Sequence, residues 1–186
     1  MRLEPLIAAA YAEIQGRFGI KPDLKRTIKT VLKQPDESDF YVFRYYVNPQ
    51  GAVYVDAGAH RGRTIESVRL FQANLRIVAF EPNPCRIDEL RTFFTRDHNV
   101  TIEPYGLADT SGVFDLFVPY YKGAAFDGLA SLHRDEAEHA LSSRSVWRFD
   151  RKYLDIRKVS CMVRRLDDFA LRIGFSRSTF KARRPR

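Results

Sequence analysis

The chain has 186 residues, of which 45% are hydrophobic and 29% charged, a composition that suits one globular domain with a sizeable core. No apolar run approaches the roughly 18 residues of a membrane span. The short apolar stretch after Met1 is flanked by Glu4 and Glu13 and has no clear cleavage site, which argues against a signal peptide. The net charge is +8, but Arg177, Lys181, Arg183, Arg184 and Arg186 account for five of those charges within an acid-free C-terminal stretch. The excess therefore describes a tail rather than a nucleic-acid-binding face. Cys85 and Cys161 lack metal-ligand spacing and read as free thiols of a reducing, cytoplasmic environment.

In chain order, Leu6, Ile7, Tyr11, Ile14 and Phe18 predict a helix over residues 4–17, and Leu24, Ile28, Val31 and Leu32 give a second apolar stripe after Pro22. Asp36-Glu37-Ser38 can cap a third short helix reaching Val47. Its aromatics, Phe40, Tyr41, Phe43, Tyr45 and Tyr46, are expected to pack on a sheet, with an aromatic lid over a ligand as the alternative. Residues 48–51, Asn-Pro-Gln-Gly, mark a turn.

The central stretch is Val53-Tyr-Val-Asp-Ala-Gly-Ala-His-Arg-Gly-Arg-Thr64. It reads as a buried strand (52–56), a tight turn bracketed by Gly58 and Gly62, and a helix (63–73). A second strand (75–81) ends at Glu81, 23 residues after Gly58. A carboxylate at that strand tip can accept both hydroxyls of an adenosine ribose. The spacing D-x-G-x-x-x-G lacks the dinucleotide fingerprint G-x-G-x-x-G. This favours S-adenosylmethionine (SAM), which has no phosphate to cradle, over a nicotinamide cofactor.

A second helix (84–95) opens at Asn83-Pro84, with Asn83 as cap. Strands are expected near 99–104 and over 113–118, and repeated βα units argue for a parallel sheet with right-handed crossovers. Residues 134–141 suit a helix. The charged stretch 142–158 reads as a substrate-side insertion of undefined structure. A strand is expected over 159–163, and a helix beginning at Leu166-Asp-Asp-Phe169.

Three stretches together resemble the FkbM-type SAM-dependent methyltransferases: Val55-Asp-Ala-Gly-Ala-His-Arg-Gly, Ala79-Phe-Glu-Pro-Asn-Pro and Arg165-Leu-Asp-Asp-Phe. Gly106-Leu-Ala-Asp109 and Ala130-Ser-Leu132 are weaker blocks of the same likeness, which covers about residues 40–170. The resemblance implies a Rossmann-like class I methyltransferase fold and methylation of a hydroxyl on a sugar, polyketide or similar metabolite. It also implies a SAM site formed by Asp56, Gly58, His60, Gly62, Glu81, Asn83, Leu107, Ala108 and Asp109, with Glu81 on the ribose and residues 107–109 near the adenine. His60 stands where the family often has Asn. No catalytic base is singled out. His133 and His139 are candidates by type only and read more simply as solvated loop histidines, while Asp167 and Asp168 read as helix-flanking residues.

After Leu166-Asp-Asp-Phe169 the family usually continues into a strand reading roughly Lys-Ile-Asp-Val-Glu-Gly. This chain instead ends Phe175-Ser-Arg-Ser-Thr-Phe-Lys-Ala-Arg-Arg-Pro-Arg186. Codons read one base earlier across that stretch can encode Leu-Lys-Ile-Asp-Val-Gln-Gly-Ala-Glu-Ala-Glu. The expectation is a frameshifted, truncated product in three parts: an N-terminal helical segment (1–50), an incomplete α/β SAM-binding domain holding the N-terminal half of the sheet (51–175), and a basic out-of-frame tail (176–186). Codons incompatible with the alternate reading would refute it. The truncation would leave the first strand as an open edge. The alternative functions are a nicotinamide-dependent oxidoreductase fragment and a non-enzymatic basic binding module. The oligomeric state is left open.

Overall fold

A computed structural model describes residues 32, 34–142, 146 and 148–178. The expected helix over 4–17, the apolar stripe after Pro22 except Leu32, and most of the basic tail lie outside the described residues.

The core is a parallel four-stranded sheet. Strand β1 (Val53–Ala57) lies between β2 (Ile77–Phe80) and β8 (Ile173–Ser178), and β3 (Val100–Glu103) flanks β2, giving the order β3-β2-β1-β8. All three pairings are parallel. Every residue of β1 and β2 is buried, as expected for strands covered on both faces. On one face, Tyr54, Ile77 and Ala79 pack with Phe40, Phe43, Ile65, Val68 and Leu90. On the other, Val53, Val55, Val78 and Phe80 lie under Tyr105, Leu107, Leu166, Phe169 and Leu171. Each such aliphatic side chain contributes about 1.5–3 kcal/mol on full burial.

The connections explain the order. Helix α1 (Arg63–Arg69) links β1 to β2, and helix α2 (Pro84–Phe93) links β2 to β3. The Asn83 side chain accepts a hydrogen bond from the Cys85 amide, so the predicted cap is formed. The segment Ser38–Arg44 is a 3-10 helix that stops short of Val47. Its aromatics divide: Phe40 and Phe43 are core, Phe43 meets Tyr54 edge-on at 5.4 Å, and Tyr41 and Tyr45 are exposed.

A second, mixed sheet follows, ordered β4-β7-β5-β6, with β4 at Gly106–Leu107, β5 at Gly112–Tyr121, β6 at Ala124–Ala125 and β7 at Leu154–Arg164. β5 and β7 run antiparallel over ten registered pairs, from Gly112↔Val163 to Tyr121↔Leu154. Helix α3 (Arg134–Ala140) follows β6 and buries Ala137.

Three expectations are corrected. The strand expected over 159–163 begins at Leu154, because the charged residues Asp155, Arg157 and Lys158 lie on its exposed positions. Leu166–Phe169 is a single 3-10 turn rather than the start of a longer helix, and it ends where Ala170 takes a left-handed conformation (φ 45°). β1 is not an edge. β8 runs past residue 175 and pairs with all of β1, with one register irregularity between Val53 and Tyr54. Sheet pairing uses backbone N–H and C=O groups, so a strand with polar Ser176 at its centre can still satisfy β1.

Candidate functional site

The carboxyl ends of β1 and β2 open into a cleft of about 270 Å³. Ligands of open α/β sheets bind at this edge. The first sheet contributes the turn Gly58–Arg61 and Glu81–Asn83. Asp36, Glu37 and Phe40 close one side. Leu116, Asp127, Gly128 and Ala130, from the second sheet and its connections, close the other.

The turn after β1 is built by left-handed backbone. Gly58 has φ 87° and His60 has φ 49°. The Gly58 and Ala59 amides both donate to the Phe80 carbonyl, at 2.8 and 3.0 Å, binding the turn to the end of β2. His60 thus occupies a conformation that few non-glycine residues adopt, and one in which Asn, Asp and His are enriched.

Glu81 is 5% exposed and joins the two loops. One carboxylate oxygen, Oε2, accepts the His60 amide at 2.7 Å; the other, Oε1, accepts the Asn83 amide at 2.8 Å. Burial raises its pKa above the ordinary carboxylate value, and the two amides oppose that rise. A carboxylate offers about four acceptor positions, so these bonds leave capacity for a ligand donor on each oxygen.

Asp127 is the site residue that sequence reasoning missed. It sits in a 3-10 turn, Asp127–Leu129, with a side chain only 7% exposed. Its Oδ2 accepts the Arg86 guanidinium Nε–H and lies 3.3 Å from His60 Nε2, while Oδ1 lies 3.7 Å from Arg61 Nη2. Burial acts to raise its pKa, but the Arg86 bond and the His60 and Arg86 charges outweigh it and hold the carboxyl below its ordinary range. For His60, burial dominates and lowers the pKa, with Asp127 opposing incompletely. No local motif signals Asp127, because its partners stand 41 to 67 residues away in sequence.

The structure brings Gly58, His60, Glu81 and Asn83 to one cleft. It does not bring the other expected residues there. Asp56 is fully buried within β1. Gly62 lies behind the cleft, where an added Cβ would stand 2.4 Å from Phe94 Cε2, so it serves close helix packing. Leu107 covers the sheet face beside Val53 and Val55, Ala108 joins the core of the second sheet, and Asp109 is exposed. His133 precedes α3 and His139 is solvent-facing on it, both outside the cleft lining. Asp168 pairs with Arg164 at 3.9 Å and accepts from Ser111 Oγ at 3.0 Å.

Among the described residues no cluster of His, Cys, Asp and Glu could hold a metal ion, and no helix is long and apolar enough to cross a membrane. No protein-family model, curated protein or solved structure matches the chain.

Proposed function

We propose that the chain carries the cofactor site of a SAM-dependent methyltransferase of the FkbM type, directed at a hydroxyl oxygen of a sugar, polyketide or similar metabolite. The observation that carries this reading is the meeting of Glu81 with the Gly58 turn at the ends of adjacent parallel strands. Glu81 would hold the ribose hydroxyls through its remaining acceptor positions, and Gly58 leaves backbone open to the ligand. When bound, SAM supplies an electrophilic methyl group on a sulfonium. The chain's part is to align the acceptor with it and to exclude water. The absence of a third glycine in Gly58-Ala-His-Arg-Gly62 disfavours a pyrophosphate-bearing cofactor.

Calorimetric titration of the full chain with SAM and, separately, NAD tests the reading. Saturable SAM binding without NAD binding supports it. NAD binding without SAM binding would replace it with the oxidoreductase reading.

A further inference from the structure

We infer that His60, backed by Asp127, is the general base that takes the proton from the acceptor's hydroxyl. This rests on the methyltransferase reading of the cleft and adds to it a base not identifiable by residue type alone.

Four observations carry the assignment. First, His60 is the histidine that lines the cleft. Its backbone amide is committed to Glu81, so backbone and side chain have separate tasks. Second, the two ring nitrogens are in different environments. Nε2 is buried 3.3 Å from Asp127 Oδ2, within ion-pair reach but without an aligned hydrogen bond in this conformation, while the side chain as a whole is 34% exposed. With Asp127 Oδ2 the acceptor in reach of Nε2, a proton carried there leaves Nδ1 as the basic nitrogen. Third, Asp127 is fixed by Arg86, which itself bonds Glu89, and Gly128 stands against the ring where a Cβ would lie 3.2 Å from Cε1. The imidazole is therefore held from behind and from one side. Fourth, burial disfavours the imidazolium, so a neutral ring is present at neutral pH, while Asp127 stabilises the cation that forms once a proton arrives.

The balance is simple. The hydroxyl proton passes to Nδ1, the oxygen forms its bond to the methyl carbon as the carbon–sulfur bond breaks with its electron pair on sulfur, and the imidazolium returns its proton to water. Asp127 touches no substrate in this scheme. It is a positioning residue that selects the tautomer.

Two-dimensional ¹H–¹⁵N spectra of the histidine rings across pH 5–9 test the assignment on the wild-type chain. The expected result is a neutral His60 with the proton on Nε2, titrating below the ordinary histidine value. In Asp127→Asn the tautomer preference should weaken and the titration move lower still. A proton on Nδ1, or a His60 titration at or above the ordinary histidine value, would overturn the assignment without any variant having to fold. With methyl-labelled SAM and a panel of hydroxylated acceptors, the rate should fall on an acid limb that tracks the His60 titration. His60→Gln should lower kcat by about 10²–10⁴-fold; an unchanged kcat overturns the base role. The two readings fail separately. Absence of SAM binding would overturn the methyltransferase reading, whereas SAM binding accompanied by an Nδ1–H tautomer would overturn the base alone.

Discussion

Glu81 accepts the backbone amide of His60 across 21 residues of sequence, at 2.7 Å and partly buried at the floor of the cleft. This bond, with its counterpart to Asn83, joins the turn after the first strand to the turn after the second. The cleft is therefore built around a buried carboxylate whose loss would disturb both loops. Glu81→Ala leaves two amides without their acceptor and should cost about 1–3 kcal/mol per group not reached by water, measured by urea unfolding at pH 7.

Stability should depend on pH in opposite senses at the two buried acids. The Glu81 pKa is raised in the folded state. Its contribution is fully present below the ordinary glutamate pKa and is lost as pH rises through the folded value. The Asp127 pKa is lowered. Its contribution is present above the ordinary aspartate pKa and is lost as pH falls through the folded value. Unfolding of Asp127→Asn and wild type should therefore differ at pH 7, with the gap narrowing from about pH 4 downward. A gap that persists to pH 2 would contradict the ion-pair account.

Arg69 and Asp97 form a similar tie at the far end of the sheet. Arg69 Nε donates to Asp97 Oδ2 at 2.5 Å, and its Nη1 donates to the carbonyls of Gln72 and Leu75. Arg69→Met should destabilise the chain by about 1–3 kcal/mol in thermal melts, because two part-buried carbonyls and a carboxylate lose their donor together. An effect within error would mean that water replaces the guanidinium freely.

Two glycines with nearly the same backbone separate conformational strain from packing. Gly51 has φ 74° and open space around it, whereas Gly62 has φ 75° and faces the Phe94 ring. Gly51→Ala should cost about 1–2 kcal/mol, the usual price of a left-handed residue with a Cβ. Gly62→Ala should cost clearly more, as Phe94 and Leu90 must move. Equal losses in urea unfolding would show that α1 and α2 are less tightly packed than their geometry implies.

The thiols should differ sharply. Cys85 is exposed, while Cys161 is buried and its pKa is pushed up to about 11, chiefly by burial and further by Asp115 and Glu81. At pH 8 a disulfide-exchange reagent should titrate one thiol rapidly and the second only on unfolding. Two fast thiols would place Cys161 outside the core.

How far the fold could be read from sequence follows the locality of its signals. The β1–turn–α1–β2–turn–α2 unit was legible because its punctuation is local: Gly58 at a left-handed position, and Asn83 and Pro84 at a helix start. β7 was half missed because one of its faces is open to solvent and carries Asp155, Arg157 and Lys158, a pattern that imitates a charged loop. The pairing of β8 with β1 depends on backbone groups, which side-chain patterning does not report. The cleft followed the same rule. Glu81 is announced by its place at a strand tip, but Asp127 is a lone acid in a glycine-containing loop, and only the packing of the second sheet against the first gives it His60, Arg61 and Arg86.

The most direct measurement is calorimetric titration of SAM into wild type and Glu81→Gln in parallel, with amide exchange confirming that β1 and β2 remain protected in both. A cofactor seated on Glu81 predicts saturable binding to the wild type and an affinity about 10- to 100-fold weaker in the variant, the loss expected for hydrogen bonds to a charged acceptor. Equal SAM affinity in the two proteins, or no binding to a folded wild type, would contradict the assignment of this cleft as a SAM site.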